Sequence, residues 1–216
     1  MTQAPRFAVA VERLEARDLA CERGGRMVFA GIGLAVAAGG ALVVTGPNGA
    51  GKSSLLRVLA GLIAPAHGAV VTVGASDEHP ARTLVHHLGH LDAVKPGQTV
   101  LANLAFAAAF LAGRRAAADR LAAALEVVGL GGLADLPAGQ LSAGQRRRLA
   151  IARLVAAPRP IWLLDEPTAA LDAASETRLG ALMADHLAAG GLLVAATHAP
   201  LPIAAAARLE LTGGAA

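Results

Sequence analysis

The stretch Gly46-Pro47-Asn48-Gly49-Ala50-Gly51-Lys52-Ser53 decides how this chain folds. It fits the phosphate-loop pattern, in which a glycine and four further residues are followed by Gly-Lys-Ser or Gly-Lys-Thr. An apolar run typical of a strand, Ala41–Val44, precedes it, and a helical pattern of leucines and valines begins at Leu55. A phosphate loop needs this order of strand, loop and helix, so the context supports the motif.

The residue types in this loop suit the binding of a phosphate chain. Gly46, Gly49 and Gly51 let the backbone turn its N–H groups toward an anion, and the helix that starts near Lys52 adds a positive end of about half a charge. Lys52 can reach the β- and γ-phosphates, and the hydroxyl of Ser53 can ligate Mg²⁺. We predict that the nucleotide-binding segment runs from Gly46 through Ser54.

The length of 216 residues suits one domain or two interlocked subdomains, and we predict a single domain over residues 1–216. The net charge of +3 is too small to indicate a nucleic-acid partner. The single cysteine, Cys21, excludes an internal disulfide, and we interpret it as a small buried apolar residue. The uncharged stretch from Met27 to Gly51 is long enough to span a bilayer, but its glycines and its alternating pattern indicate strands, so no membrane span is expected.

The periodicity predicts strands that alternate with helices, and hence a largely parallel sheet with ligand at the strands' carboxyl ends. Short strands are expected over 9–19, 27–36, 41–44, 69–73, 83–88, 161–164 and 192–196. Helices are expected after Lys52, over 100–128 with a break at Gly113, over 144–157 and from Asp172 to about 189.

The strand Ile161–Leu164 ends in two carboxylates, Asp165 and Glu166. Its apolar residues predict a buried strand that places Asp165 beside the Mg²⁺ of the phosphate loop. Glu166 points elsewhere in this arrangement and can polarise the attacking water. Phosphoryl transfer demands mainly positioning and charge neutralisation, so a metal ligand beside a water-orienting group is sufficient.

A third motif, Leu141-Ser142-Ala143-Gly144-Gln145, precedes a helix that carries three arginines. Small residues at the start of a helix leave its N–H groups open to an anion, and Ser142 adds a hydroxyl and is the expected N-cap. The arginines Arg146–Arg148 spread over most of a helical turn, and we interpret them as a solvated face rather than a nucleic-acid site.

With these motifs in this order, the chain resembles an ATP-binding cassette (ABC) ATPase domain. Leu141–Gln145 matches the family's signature, Ile161–Glu166 its acidic strand, Ala170-Leu171-Asp172 the loop after it, and His198 its switch histidine. The resemblance implies an α/β fold of the P-loop NTPase class, ABC ATPase type: a mixed, mostly parallel sheet with an antiparallel β subdomain and an α-helical subdomain over about residues 92–158.

The resemblance also implies how the parts act. ATP and Mg²⁺ would bind at the phosphate loop, with Ser53 and Asp165 as metal ligands. In a head-to-tail homodimer formed with ATP, the signature residues Leu141, Ser142, Ala143, Gly144 and Gln145 would act in trans, with Ser142 and Gly144 facing the γ-phosphate that Lys52 of the other copy binds. His198 would hold the γ-phosphate and the attacking water, Glu166 would be the catalytic carboxylate, and Asp172 would couple the two sites.

The chain departs from the family in two places. Family members commonly stack adenine on an aromatic residue, whereas this chain has Cys21–Gly25 there, and Arg23 can stack through its guanidinium plane. Members also carry a loop glutamine after the strand that matches 83–88, where this chain has Gly89-His90-Leu91-Asp92. Leu91 cannot ligate Mg²⁺; His90 or Asp92 can substitute, or the loop works without a direct ligand.

Two further stretches are similar to one subgroup of the family, the small ATP-binding subunit of the haem exporter of cytochrome c maturation. They are His87–His90 with Lys95–Leu104, and Leu14–Leu19 with Cys21–Arg23. The resemblance implies a motor bound to an integral membrane transporter subunit, peripheral at the cytoplasmic face of the bacterial inner membrane. We interpret His86, His87 and His90 as structural or loop histidines rather than haem ligands.

Other functions remain open at this point. The alternatives are the ATPase subunit of another small ABC transporter, a soluble ABC ATPase that acts on ribosomes or DNA, and a nucleotide-binding module without hydrolysis. The single cassette without a long coiled-coil insertion argues against the soluble ATPase. The presence of Lys52, Asp165, Glu166 and His198 together argues against the non-hydrolytic module.

Overall fold

A computed structural model describes residues 7–75, 81–203 and 206–212. The chain divides into two compact units, one formed by 1–89, 159–167 and 183–216, and the other by 90–158 and 168–182. The first unit contains both sheets, and the second is helical.

The first unit begins with an antiparallel sheet of three strands in the order β2-β1-β4. These are β1 (Arg13–Arg23), β2 (Arg26–Ala37) and β4 (His67–Val73). A two-residue turn at Gly24 and Gly25, both with positive φ, joins β1 to β2, as a tight hairpin between twisted strands requires. These glycines thus form the hairpin turn between the first two strands, although β1 begins and ends four residues later than expected.

The second sheet has the order β5-β6-β7-β3-β8, and all four pairings between its described strands are parallel. Its strands are β3 (Ala41–Thr45), β5 (Val85–Leu88), β6 (Ile161–Asp165), β7 (Leu192–Ala196) and β8 (Ala207–Glu210). Every residue of β6 and β7 is buried, because a parallel sheet is covered on both faces. The sequence did not indicate β8.

Helix α1 (Lys52–Leu59) covers one face of this sheet. Its residues Leu55, Leu56 and Leu59 are buried in one cluster with Leu163 of β6 and Val194 of β7. Cys21 belongs to the same cluster and is fully buried, which confirms its interpretation as a small apolar residue. The residues that follow the strands at their carboxyl ends therefore sit on a rigid, close-packed base.

The segment 83–88 differs from the prediction, because only its last four residues form a strand. Ala81–Leu84 is a short helix, α2, and β5 begins at Val85. The Arg159 guanidinium donates to the carbonyl oxygens of Arg82, at 3.0 Å, and Val85, at 2.7 Å. This contact between residues distant in sequence fixes the turn, and local propensity cannot reveal it.

The helical unit contains α3 (Val100–Ala112), α4 (Ala118–Val127) and α5 (Ala143–Ala156), which pack against one another. Gly113, with a φ of 66°, ends α3 in the left-handed conformation, so the predicted break lies where expected. Helix α6 (Ala173–Ala188) begins in this unit and ends in the first. Among the described residues, no helix combines the length and the apolar character that crossing a membrane requires.

Candidate active site

The phosphate loop joins β3 to α1 and has a backbone that only glycine fits at two of its positions. Gly46 has a φ of 135°, and a Cβ there would lie 2.2 Å from the carbonyl oxygen of Leu211. Gly51 has a φ of 98°, and a Cβ there would lie 2.6 Å from Val28 of β2. The glycines thus allow the loop to lie directly against neighbouring backbone and side chains, with Ala50 buried beneath it.

Lys52, the first residue of α1, turns back into this loop. Its side chain is buried, and its ammonium donates to the carbonyl oxygens of Gly46, at 2.8 Å, and Pro47, at 3.1 Å. The same ammonium lies 2.9 Å from Nε2 of His198. The cation is therefore held inside the curve of the loop, where a phosphate chain bound by the loop's N–H groups would meet it.

His198 follows the end of β7 and contacts the loop. Its Nε2 lies 3.0 Å from Oδ1 of Asn48 and 3.9 Å from Oε1 of Glu166. Glu166 directly follows β6 and has a φ of 44°, a conformation that its N–H stabilises by donating to the Ala196 carbonyl at 2.8 Å. The structure thus brings together Lys52, Asn48, Glu166 and His198, although they come from three separate stretches of sequence.

Asp165 is the last residue of β6 and is buried, with 4% of its surface exposed. Ser53 and Ser54 occupy the first turn of α1, and both are half-buried. Among the described residues, no cluster of three or more His, Cys, Asp or Glu side chains is arranged to hold a metal ion. A hydroxyl and one carboxylate fit Mg²⁺, because this ion takes one or two protein oxygens and completes its shell with waters and substrate phosphates.

The Leu141–Gln145 motif lies in the helical unit, at the start of α5. The Ser142 hydroxyl accepts from the Gln145 N–H at 3.2 Å, and Gln145 Oε1 accepts from the Ser142 N–H at 2.8 Å. This reciprocal capping box confirms Ser142 as the N-cap. A Cβ at Gly144 would lie 2.7 Å from the carbonyl oxygen of Ala170, so glycine is required for the close approach of these two segments.

Asp172 caps α6, at the start of the helix expected from this residue onward, since its Oδ1 accepts from the Ser175 N–H at 2.8 Å. Hydrogen bonds from Ser175 hold the pKa of the exposed Asp172 carboxyl below its usual value, and Arg148 and Arg178 lower it further. The carboxylate is therefore charged at neutral pH and is fixed by its own helix.

The interpretation of Arg146–Arg148 as a solvated face is wrong for Arg147. This residue is 3% exposed, and its guanidinium pairs with the Asp92 carboxylate at 3.2 Å. Arg153 also donates to the backbone carbonyl of Ala93, at 3.0 Å. The loop that begins at His90 is thus attached to α5 by the buried Arg147 and the half-buried Arg153. A helix pattern alone does not distinguish a buried arginine from a solvated one.

The two departures from the family pattern involve Leu91, His90 and Arg23. Leu91 is 82% exposed, and His90 lines a cavity of about 150 Å³ in the helical unit together with Asp92, Arg146, Arg147, Ala143, Ala169 and Ala170. Arg23 is exposed beside the hairpin turn.

Sequence reasoning also missed Asn103 of α3, which is buried. Its side chain accepts from the Lys95 N–H at 2.8 Å and donates to the carbonyl oxygens of Lys95 and Thr99, both at 3.0 Å. Asn103 therefore organises the segment that leads into α3. The only signal in the sequence is a lone amide within an uncharged helix.

The comparison with known proteins agrees with this arrangement. The sequence model of the ABC transporter family matches residues 29–169. The chain is 56% identical over 192 residues to a cytochrome c biogenesis ATP-binding export protein, CcmA, of Rhodopseudomonas palustris, covering 89% of the chain and 94% of the relative. It is 53% identical over 205 residues to the protein of that name from Nitrobacter winogradskyi, covering 94% of the chain and all of the relative.

Solved structures share the fold. An ATP-binding protein of a putative ABC transporter from Pyrococcus furiosus has a TM-score of 0.78 at 24% identity, covering 92% of this chain and 97% of its own. A dimeric ATP-binding cassette in a post-hydrolysis state, bound to ADP and Pi, has a TM-score of 0.71 at 25% identity, covering 86% of this chain and 88% of its own. The chain belongs to the ABC transporter family of ATP-binding proteins, in the group of the cytochrome c biogenesis ATP-binding export proteins.

Proposed function

We propose that this chain is the ATP-hydrolysing motor subunit of the haem exporter of cytochrome c biogenesis. The observation that carries the proposal is its identity of 53–56% with cytochrome c biogenesis export proteins over about nine-tenths of its length. In this proposal residues 1–216 act as one ATPase domain, and the helical unit is its signature-bearing subdomain.

The first part of the mechanism is the binding of ATP. Residues Gly46–Ser54 bind the triphosphate, with the N–H groups of the loop and the start of α1 around its oxygens. The Lys52 ammonium, now within 3.1 Å of two loop carbonyls, lies where it can bind the β- and γ-phosphates as well. Ser53 and Asp165 would hold Mg²⁺, which supplies neutralisation of the charge on the phosphate oxygens.

The second part is the attack of water on the γ-phosphate. Glu166 orients this water and accepts its proton, and His198 donates to the transferred phosphoryl group. Their side chains lie 3.9 Å apart, so a water and a terminal phosphate oxygen can contact both. Phosphoryl transfer needs little covalent chemistry from the protein. Catalysis therefore depends mainly on the positions and charges of these groups.

The third part requires a second copy of the chain. The similar cassette bound to ADP and Pi is a dimer. We propose a head-to-tail homodimer that forms with ATP, in which Leu141–Gln145 of one copy closes the site of the other. The capped start of α5 presents the Ser142 hydroxyl and the N–H of Gly144 to the γ-phosphate, and Asp172 couples the two sites.

The partner in this proposal is an integral membrane transporter subunit, and the chain is peripheral at the cytoplasmic face of the bacterial inner membrane. A pull-down of the tagged chain from native membranes tests it. We expect the tagged chain to retain an integral membrane protein required for cytochrome c maturation and to pellet with membranes only when that protein is present. Retention of a different transporter's membrane subunit would instead favour another small ABC transporter.

A further inference from the structure

One buried polar group near the proposed metal site has no role in this mechanism. His87 is the residue before the last one of β5, and its Nε2 atom is buried without a hydrogen-bond partner among the described residues. Buried polar atoms in folded proteins are nearly always hydrogen-bonded to protein or to ordered water, so an unpaired one requires an explanation.

The register of the sheet places His87 on the same face as Asp165. His87 is paired with Leu163 in the parallel ladder between β5 and β6. Side chains alternate along a strand, so His87, Leu163 and Asp165 all face α1, where Leu163 joins the buried cluster. His86 points to the opposite face, in register with Trp162.

The ring of His87 extends toward the end of the sheet where Asp165 lies. Its Cε1 atom would be 3.2 Å from a Cβ placed on Gly89, the residue that follows β5. Burial lowers the pKa of His87, while the charge of Asp165 raises it and that of Arg57 lowers it. The ring is therefore in the electrostatic field of the Asp165 carboxylate, and it is mainly neutral at pH 7.

Neutral imidazole has one donor and one acceptor nitrogen, and a single water can bridge such a nitrogen to a carboxylate.

We propose that His87 is a positioning residue for the Asp165 carboxylate, which its Nε2 holds through one bound water in the orientation that receives the cation of ATP. This inference rests on the proposed function, because it assigns Asp165 to the metal. Groups that orient a metal-binding carboxylate typically change metal affinity by 10- to 100-fold when they are removed.

The test measures metal affinity as well as hydrolysis. Mn²⁺ replaces Mg²⁺, and its binding to the full chain with a non-hydrolysable ATP analogue is followed by electron paramagnetic resonance. We expect His87→Leu to weaken Mn²⁺ binding by about tenfold, while metal-free binding of the analogue in EDTA changes by less than about twofold. His67→Leu, which removes an exposed histidine from β4, is the matched control and keeps wild-type Mn²⁺ affinity.

Two conservative variants separate positioning from packing. The Gln side chain places an amide group about as far from the backbone as Nε2, whereas that of Asn is shorter. We expect His87→Gln to recover most of the Mn²⁺ affinity and His87→Asn to recover little. Comparing these two variants tests the positioning role of His87 even if His87→Leu fails to fold. Equal Mn²⁺ affinities in folded His87→Asn, His87→Gln and the wild type would overturn the inference. If the wild type itself bound no nucleotide, the proposed function would fail instead.

Discussion

At the scale of single residues, the site depends on polar groups that hold one another in place. Nε2 of His198 lies 2.9 Å from the Lys52 ammonium and 3.0 Å from the amide oxygen of Asn48. A lone ring nitrogen cannot accept from the ammonium and donate to a carbonyl oxygen at the same time. In a given protonation state, only one of these two contacts of Nε2 is therefore a hydrogen bond.

The carboxylate after β6 provides the first residue-scale prediction. Glu166→Gln keeps the size of the side chain but removes its ability to accept a proton, so ATP hydrolysis should fall by about 10²- to 10⁴-fold, while ATP still binds and stabilises the dimer. Phosphate release and size-exclusion chromatography measure the two effects. Glu176→Gln, at an exposed position on α6, is the control. Unchanged turnover in Glu166→Gln would show that Glu166 does not accept the proton of the attacking water.

His186 makes the stability of the first unit depend on pH. It is buried and stacks on Trp162 at 3.9 Å between ring centroids, and its centroid lies 5.3 Å from that of Phe7 in a T-shaped arrangement. Burial lowers its pKa from 6.5 to about 4, against smaller opposite effects of hydrogen bonds with Leu192 and Pro160. Between these pH values the unfolded chain binds a proton that the folded chain excludes, so the free energy of unfolding decreases as the pH falls through this window.

The expected contribution of His186 is about 3 kcal/mol, fully present above pH 6.5 and lost by pH 4. Urea denaturation of the wild type and of His186→Phe across this window measures it. The phenyl ring keeps the stacking and does not titrate, so its curve should be shallower by about that amount. Parallel curves for the two proteins would contradict the assignment.

At the scale of elements, the start of α5 is defined by its close approach to the Ala170 segment. Ala170 has a φ of 62°, and its carbonyl oxygen fills the space that a side chain at Gly144 would need. Gly144→Val should therefore destabilise the fold by about 1–3 kcal/mol and reduce hydrolysis, because the backbone of one segment must move. Thermal unfolding and ATPase assays measure these effects.

A matched control for this prediction is Gly132→Val, since a Cβ at Gly132 meets nothing within 4 Å. This variant should keep wild-type hydrolysis and lose little stability. Equal stability and equal hydrolysis in the two valine variants would contradict the claim that the fold requires glycine at position 144.

The sequence predicts some elements well because their signals are local. The phosphate loop, the Ser142 and Asp172 caps and the fully buried β6 each follow from residues within a few positions of one another. The missed features depend on distant partners. Strand β8 is four residues long and exists through its pairing with β3, and the Asp92–Arg147 pair joins residues far apart in sequence. Periodicity cannot reveal such contacts.

At the scale of the whole molecule, the first unit carries the phosphate loop and the second carries the signature motif. The proposed dimer uses both, since each copy binds ATP with its own loop and closes the partner's site with its own α5. In the proposed dimer, each site takes the loop glycines, Lys52 and Asp165 from one copy. It takes Ser142 and Gly144 from the other copy.

The central claim is that the loop of residues 46–53 grips the triphosphate through Lys52. The chain has only two lysines, Lys52 and Lys95, so an ATP analogue with an amine-reactive group on its terminal phosphate can test this claim by mass-spectrometric mapping. We predict that the analogue modifies Lys52 and that excess ATP prevents the modification, while any reaction at Lys95 is unaffected by ATP. Modification confined to Lys95, or labelling of Lys52 that ATP does not reduce, would contradict the account.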